Sequence, residues 1–227
     1  MKNLLAAAAL VAAGTAGGAE ITWELGPTFG GANGHLGILT NGALVHAVHL
    51  AGSPSDSLIV DPSGLNIAFT NINSAAFNSS FSDPLNNIGD PGWSQIVRVF
   101  EWNSGTDVDA AAFLDGLTLG QTYQVQFFSG RSHPCCADRT LKFGDGLGHF
   151  SDPVSQAQGV FQSVVGTFVA DATTQRIVFD DSSNNPNLSA YVLRDVTLIP
   201  EPGTWALMCT GLVTFGAWAR RRSAIAT

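Results

Sequence analysis

The segment His133-Pro134-Cys135-Cys136-Ala137-Asp138-Arg139 gathers the residue types best suited to coordination or redox chemistry. A thiolate and an imidazole suit zinc or copper. Adjacent cysteines, however, do not readily offer two thiolates to one tetrahedral ion, and no C-x-x-C pair or second His pair completes a shell. If the chain leaves the cytoplasm, Cys135 and Cys136 can close a vicinal disulfide or stay as thiols. Cys209 lies near the C-terminus, away from both. Calcium is the other ion to weigh, because Asp107, Asp109, Asp180, Asp181 with Asn184, and Asp145 in Gly144-Asp-Gly-Leu-Gly148 supply hard oxygen ligands in turn-like contexts. Turn and capping chemistry favours the same residue types, and none of these stretches matches an EF-hand loop.

Catalysis would need a nucleophile beside a base, or paired carboxylates. Five histidines (His35, His46, His49, His133, His149) and many aspartates are present, but G-x-S-x-G and H-E-x-x-H are absent. His46 and His49, three apart, would fall on opposite faces of a strand, which disfavours a shared metal. The chain is therefore read as a binding protein and not an enzyme, with a hydrolase bearing its catalytic groups in loops as the alternative. Sugar binding calls for an aromatic platform flanked by polar groups. Trp93, together with Arg131, His133 and Asp138, would make one if their loops meet, whereas a Trp93 turned into the core would not.

These residues must be positioned by strands. Tyr123, Val125 and Phe127 alternate with Gln124 and Gln126, the pattern of a half-buried strand. Leu44–Leu50, Ile96–Trp102, Phe161–Val169, Arg176–Phe179 and Tyr191–Ile199 are short, rich in Val, Ile, Phe and Thr, and bounded by turn residues. No stretch between the termini sustains an apolar stripe over three helical turns. The expected architecture is one all-β domain, a two-sheet β-sandwich or jelly roll, over residues 20–198. Residues 71–93 lack a period and read as a long loop, with Phe77 and Phe81 tucking it down.

The 227 residues carry 10 Lys+Arg and 18 Asp+Glu, so the net charge is −8. Between residues 20 and 200 there are six cations against seventeen acids, a net charge near −11, which excludes nucleic acid as a natural partner. The remaining four cations mark the two ends. Lys2, an apolar stretch from Leu4 to Ala13 and the small residues Gly17-Gly18-Ala19 read as a secretory signal peptide over 1–19, cut by signal peptidase between Ala19 and Glu20. At the other end, Thr204 to Ala219 is an apolar run of sixteen residues, about 24 Å as a helix, followed by Arg220, Arg221 and Arg222. It reads as a transmembrane helix with Trp205 and Trp218 near the interfaces and the arginines held in the cytoplasm.

Ile199-Pro-Glu-Pro-Gly-Thr-Trp-Ala-Leu-Met208, the apolar span and the arginine cluster together resemble the PEP-CTERM sorting signal of Gram-negative, exopolysaccharide-making bacteria. The resemblance covers 199–227. It implies recognition of Pro200, Glu201 and Pro202 by a membrane-embedded exosortase, with Arg220 to Arg222 as a stop signal, transient membrane anchoring, and delivery to the cell envelope or extracellular matrix. The same tail also carries an ice-binding label, which raises that role as a further alternative, although regular Thr-x-Thr arrays are absent. Within the body, Leu117-Thr-Leu-Gly120-Gln-Thr-Tyr123 resembles the tyrosine corner of fibronectin-type sandwiches, with Leu119 where proline is usual. Gly166-Thr-Phe-Val-Ala-Asp171, Gln175-Arg-Ile-Val-Phe-Asp180 and Leu188-Ser-Ala-Tyr-Val-Leu-Arg-Asp195 resemble the terminal strands of galactose-binding-like jelly rolls. Together these readings describe a non-enzymatic exported protein that binds polysaccharide or surface partners and requires no cofactor unless calcium is one.

Overall fold

Alternation over Tyr123–Phe127 does produce a strand, and that strand runs through the middle of the largest sheet. The computed structural model describes residues 18–50, 57–60, 64, 66–71, 79–82, 88–102, 111–131, 138–180 and 187–197, with the backbone alone at 57–60, 71 and 79–81. In chain order the elements are β1 (Thr22–Thr28), a 3-10 turn (Gly34–Gly37), β2 (Ala43–His49), β3 (Ser57–Val60), β4 (Asn66–Asn71), β5 (Ser79–Ser82), α1 (Pro91–Arg98), β6 (Val99–Trp102), β7 (Ala111–Leu114), β8 (Thr122–Arg131), β9 (Thr140–Gly144), β10 (Val154–Ser155), β11 (Val160–Val169), β12 (Gln175–Asp180), β13 (Asn187–Leu188) and β14 (Ala190–Asp195). The first compact unit spans residues 1–196, and of the second, 197–227, only Thr197 is described.

Among the described residues one sheet runs β1-β11-β8-β14-β2-β4-β3 and a second runs β10-β9-β12-β7. The inward side chains of the two sheets share a single core, in which Tyr123, Val125, Phe127, Val164 and Leu193 of the first meet Leu114, Leu141, Phe143, Ile177 and Phe179 of the second. This is an all-β sandwich, as the period-two pattern predicts. A third, three-stranded sheet, β13-β6-β5, adds to the two expected.

The large sheet is covered on its other face as well. Along β14, Tyr191 and Leu193 enter the sandwich core while Ala190 and Val192 enter a second cluster with Phe29, Phe69, Phe128, Trp93 and Ile96. Burial on both sides explains why the second half of β8 no longer alternates: Thr122 and Gln124 are half-buried, but every residue from Val125 to Arg131 is buried on one face or the other. Gln126 is a buried polar group on this face whose amide is fully bonded. Gln126 accepts from the Leu39 N–H at 2.9 Å and donates to the Gly37 carbonyl at 2.8 Å and to Ser163 Oγ at 3.0 Å.

The tyrosine corner is present. Gly120 has φ +79°, and the Tyr123 hydroxyl accepts from the Thr118 N–H at 2.8 Å while its ring is buried. Leu119, where proline is usual, is exposed.

Three expectations are corrected. Ile96–Trp102 is not one strand, because helix α1 runs to Arg98 and β6 begins at Val99. Asp90 caps that helix, accepting from the Gly92 and Trp93 N–H groups at 3.0 and 3.2 Å, Pro91 occupies its first turn, and Trp93, Ile96 and Val97 form a buried stripe at i, i+3, i+4. Residues 71–93 are not one loop, since β5 and the start of α1 lie within them; Phe77 lies outside the described residues. The last body strand ends at Asp195 and not at Ile199.

Candidate functional site

The turn between β9 and residue 150 is built by one carboxylate. Asp145 Oδ1 accepts from the Leu147 N–H at 2.7 Å and the His149 N–H at 3.3 Å, while Oδ2 takes the Ile21 N–H at 3.3 Å and His149 Nδ1 at 2.8 Å. Burial pushes the Asp145 carboxyl up, but these hydrogen bonds outweigh it and hold the group below the usual carboxylate range. Its hydrogen bond to Asp145 raises the His149 imidazole, with the Glu20 carboxylate at 3.9 Å adding to the effect. Asp145 thus organises the turn, in keeping with the turn chemistry that favours aspartate.

That turn, with Gly146 and Gly148 at φ +79° and +105°, returns the chain so that Phe150 bridges Gly144 on the outer face of the four-stranded sheet. A Cβ on Gly144 would stand 2.6 Å from the Phe150 ring and 2.8 Å from Val178 Cγ2, so glycine is what lets the ring lie on the sheet. Beside it opens a cleft of about 320 Å³ lined by Gly146, Gly148, Phe150, Arg176, Val178 and Asp180. Phe150 is exposed, Arg176 stands opposite the exposed Phe113 across the strand pair, and Lys142 reaches Asp180 at 3.4 Å. An aromatic face, a guanidinium and an ammonium–carboxylate pair thus line one open surface.

A second cleft of about 370 Å³ is lined by Leu44, His46, Ala68, Thr70, Asp115 and Tyr191 among others. His46 Nε2 approaches the Asp115 carbonyl at 3.1 Å. Burial, with the Asp115 charge second, pushes the Tyr191 phenol up to about 12, so it stays a neutral hydroxyl. His49 lies on the opposite side of β2, buried, with Nε2 donating to the Ile96 and Val99 carbonyls at 3.0 and 2.8 Å.

The platform expected at Trp93 is corrected. Its ring is fully buried, with Phe128, Phe29 and Phe69 at 4.5, 4.8 and 6.1 Å, and it offers no face to a ligand. Arg131 is buried at the end of β8 and reaches the exposed Asp138 at 3.4 Å. Asp180 is paired with Lys142, and among the described residues no three His, Cys, Asp or Glu side chains gather as a metal-holding group. His133, Cys135, Cys136, Asp107, Asp109 and Asp181 lie outside the described residues, as do Pro200, Glu201, Pro202, the run 204–219 and Arg220 to Arg222. No helix among the described residues is long and apolar enough to cross a membrane.

Sequence reasoning also missed a second Asp–His pair. His35 Nδ1 lies 2.9 Å from Asp90 Oδ2, which also accepts the His35 N–H at 3.2 Å. Burial raises the Asp90 carboxyl, and the bonds from His35, Trp93 and Gly92 more than reverse this, leaving it below the usual range. The Asp90-Pro91 start was the available signal for the cap; nothing local connects it to His35.

Residues 198–222 match the PEP-CTERM protein-sorting motif. The chain carries an exosortase sorting signal. It is thereby an exported, envelope-associated protein, as the Pro-Glu-Pro tripeptide, the apolar run and the arginines imply. No curated protein and no solved structure matches the chain. The sorting signal accounts for destination alone, so what the sandwich does must be argued from its own surface.

Proposed function

We propose that this is a non-enzymatic envelope protein of a Gram-negative cell that holds extracellular polysaccharide on the outer face of its four-stranded sheet. In this reading signal peptidase and exosortase process the two ends, residues 204–219 anchor the chain in the membrane before the second cut, and the sandwich is left at the cell surface or in the matrix.

The observation that carries the reading is Phe150 seated over Gly144 beside Arg176 and the Lys142–Asp180 pair. An exposed ring can stack on the apolar face of a pyranose, while the guanidinium, ammonium and carboxylate bond its hydroxyls. The two cations matter because the body is strongly acidic, and they offer local attraction where the overall field would repel an anionic glycan. No cofactor enters the reading.

The test is retention of the full chain on a glycan array and on exopolysaccharide from the producing cell, with and without EDTA. Phe150→Ala and Arg176→Ala should each weaken retention about tenfold, the order of a 1–2 kcal/mol loss, without changing the melting temperature by more than a few degrees, and EDTA should change nothing. Absence of retention sinks the proposal; release of shortened glycan would favour a hydrolase, and thermal hysteresis an ice-binding role.

A further inference from the structure

Ala19, the last residue expected to leave with the signal peptide, is part of the folded core. It is 8% exposed and belongs to the sandwich core. Its N–H donates to Gln175 Oε1 at 2.8 Å, and Gln175 Nε2 donates back to its carbonyl at 3.2 Å. Gln175 is itself 1% exposed, so the pair closes a buried amide that no water reaches. Two residues on, the Ile21 N–H bonds the buried Asp145 carboxylate, and Glu20 between them faces His149. The run Ala19–Ile21 is therefore tied into the sandwich by its own backbone. Cutting at Ala19–Glu20 would remove a core side chain and strip Gln175 of its donor.

From this we infer that the leader is removed on the N-terminal side of Ala19, so that the mature chain keeps Ala19 clasped by Gln175. The sequence provides such bonds. Ala16-Gly17-Gly18 is a small-x-small pattern as good as Gly17-Gly18-Ala19 and directs the cut to Gly18–Ala19, and Gly14-Thr15-Ala16 directs one to Ala16–Gly17. At either bond water adds its hydroxyl to the leader's carbonyl carbon, giving a carboxylate, and its proton to the new amino terminus. A cut at Gly18–Ala19 leaves the Ala19 ammonium able to make the hydrogen bond that its amide makes in the structure. The inference rests on export through the sorting signal, and its test separates the two.

The full chain is expressed in an exosortase-bearing bacterium, and the exported product is sequenced from its N-terminus and weighed. A first residue of Ala19 or Gly17 supports the inference. A first residue of Glu20, or any later one, overturns it while leaving export standing; a chain in the cell that retains Met1 overturns both. Ala16→Leu provides the second arm, because Ala16 is a small residue of both upstream patterns, third before the Gly18–Ala19 bond and last before the Ala16–Gly17 bond, and is neither small residue of the Ala19–Glu20 pattern. The variant should lose at least tenfold of its mature form, with precursor accumulating, and processing at the wild-type level would overturn the inference.

Discussion

The large sheet is covered on both faces, and the two covers are made differently. On one side a second sheet spreads the burial over many side chains, with Phe127, Phe143 and Phe179 meeting at ring separations of 4.8 to 6.0 Å. On the other side a helix of eight residues turns one indole into the second cluster, held at its start by Asp90 and, through it, by His35. Each cover also has a buried aspartate that collects backbone N–H groups and bonds a histidine ring. Asp145 does for the sandwich edge what Asp90 does for the helix. The lesson is that a broad sheet interface shares its load, whereas a short helix concentrates it in one side chain and one cap.

Truncation at the centre of each cover should show the difference most strongly. Trp93→Ala is expected to cost about 3–5 kcal/mol in urea unfolding, because three neighbouring rings lose a partner that the short helix cannot replace. Phe179→Ala should fall near the lower end of that range, since Phe127 and Phe143 remain stacked at 4.8 Å; a larger loss at Phe179 would break the contrast. Next in size, Asp145→Ala should cost about 1–3 kcal/mol, leaving the Ile21, Leu147 and His149 N–H groups without their acceptor. Asp90→Ala should cost about 0.5–2 kcal/mol, the range of a lost N-cap, and circular dichroism should show loss of helix.

The smallest effects are in pH. Both aspartates have folded values below their unfolded ones, so the stability they contribute is present above the ordinary carboxylate value of about 3.9 and is lost as pH falls through their lowered values. Asp145→Ala and Asp90→Ala should each flatten the acid limb of the melting curve. His149 has the opposite sign: its raised value means its contribution is complete below about 6.5 and lost as pH rises through the folded value. His149→Gln should leave melting near pH 5 lower and the slope above neutrality shallower.

The sheet-on-sheet cover was legible in the chain because a strand declares its buried face every second residue, as Tyr123, Val125 and Phe127 do. The Tyr123 corner was legible for a similar local reason: Gly120 and Thr118, which complete it, lie within five residues. The helix was harder. Asp90-Pro91 and the Trp93, Ile96, Val97 spacing carry a helical signal, but the β-branched and aromatic content of Ile96–Trp102 suits a strand equally well, and two turns are too short for period to decide.

By itself the sequence determined where the protein goes and that its body is pleated, since a sorting tripeptide with an arginine-ended apolar run, and alternation within a strand, are both written in contiguous residues. Only the tertiary structure decided that Trp93 is enclosed, that Ala19 belongs to the core, and that Phe150 settles on Gly144 beside Arg176. Those arrangements join positions as far apart as Ala19 and Gln175, and a side chain's worth depends on which distant surface the folded backbone brings against it.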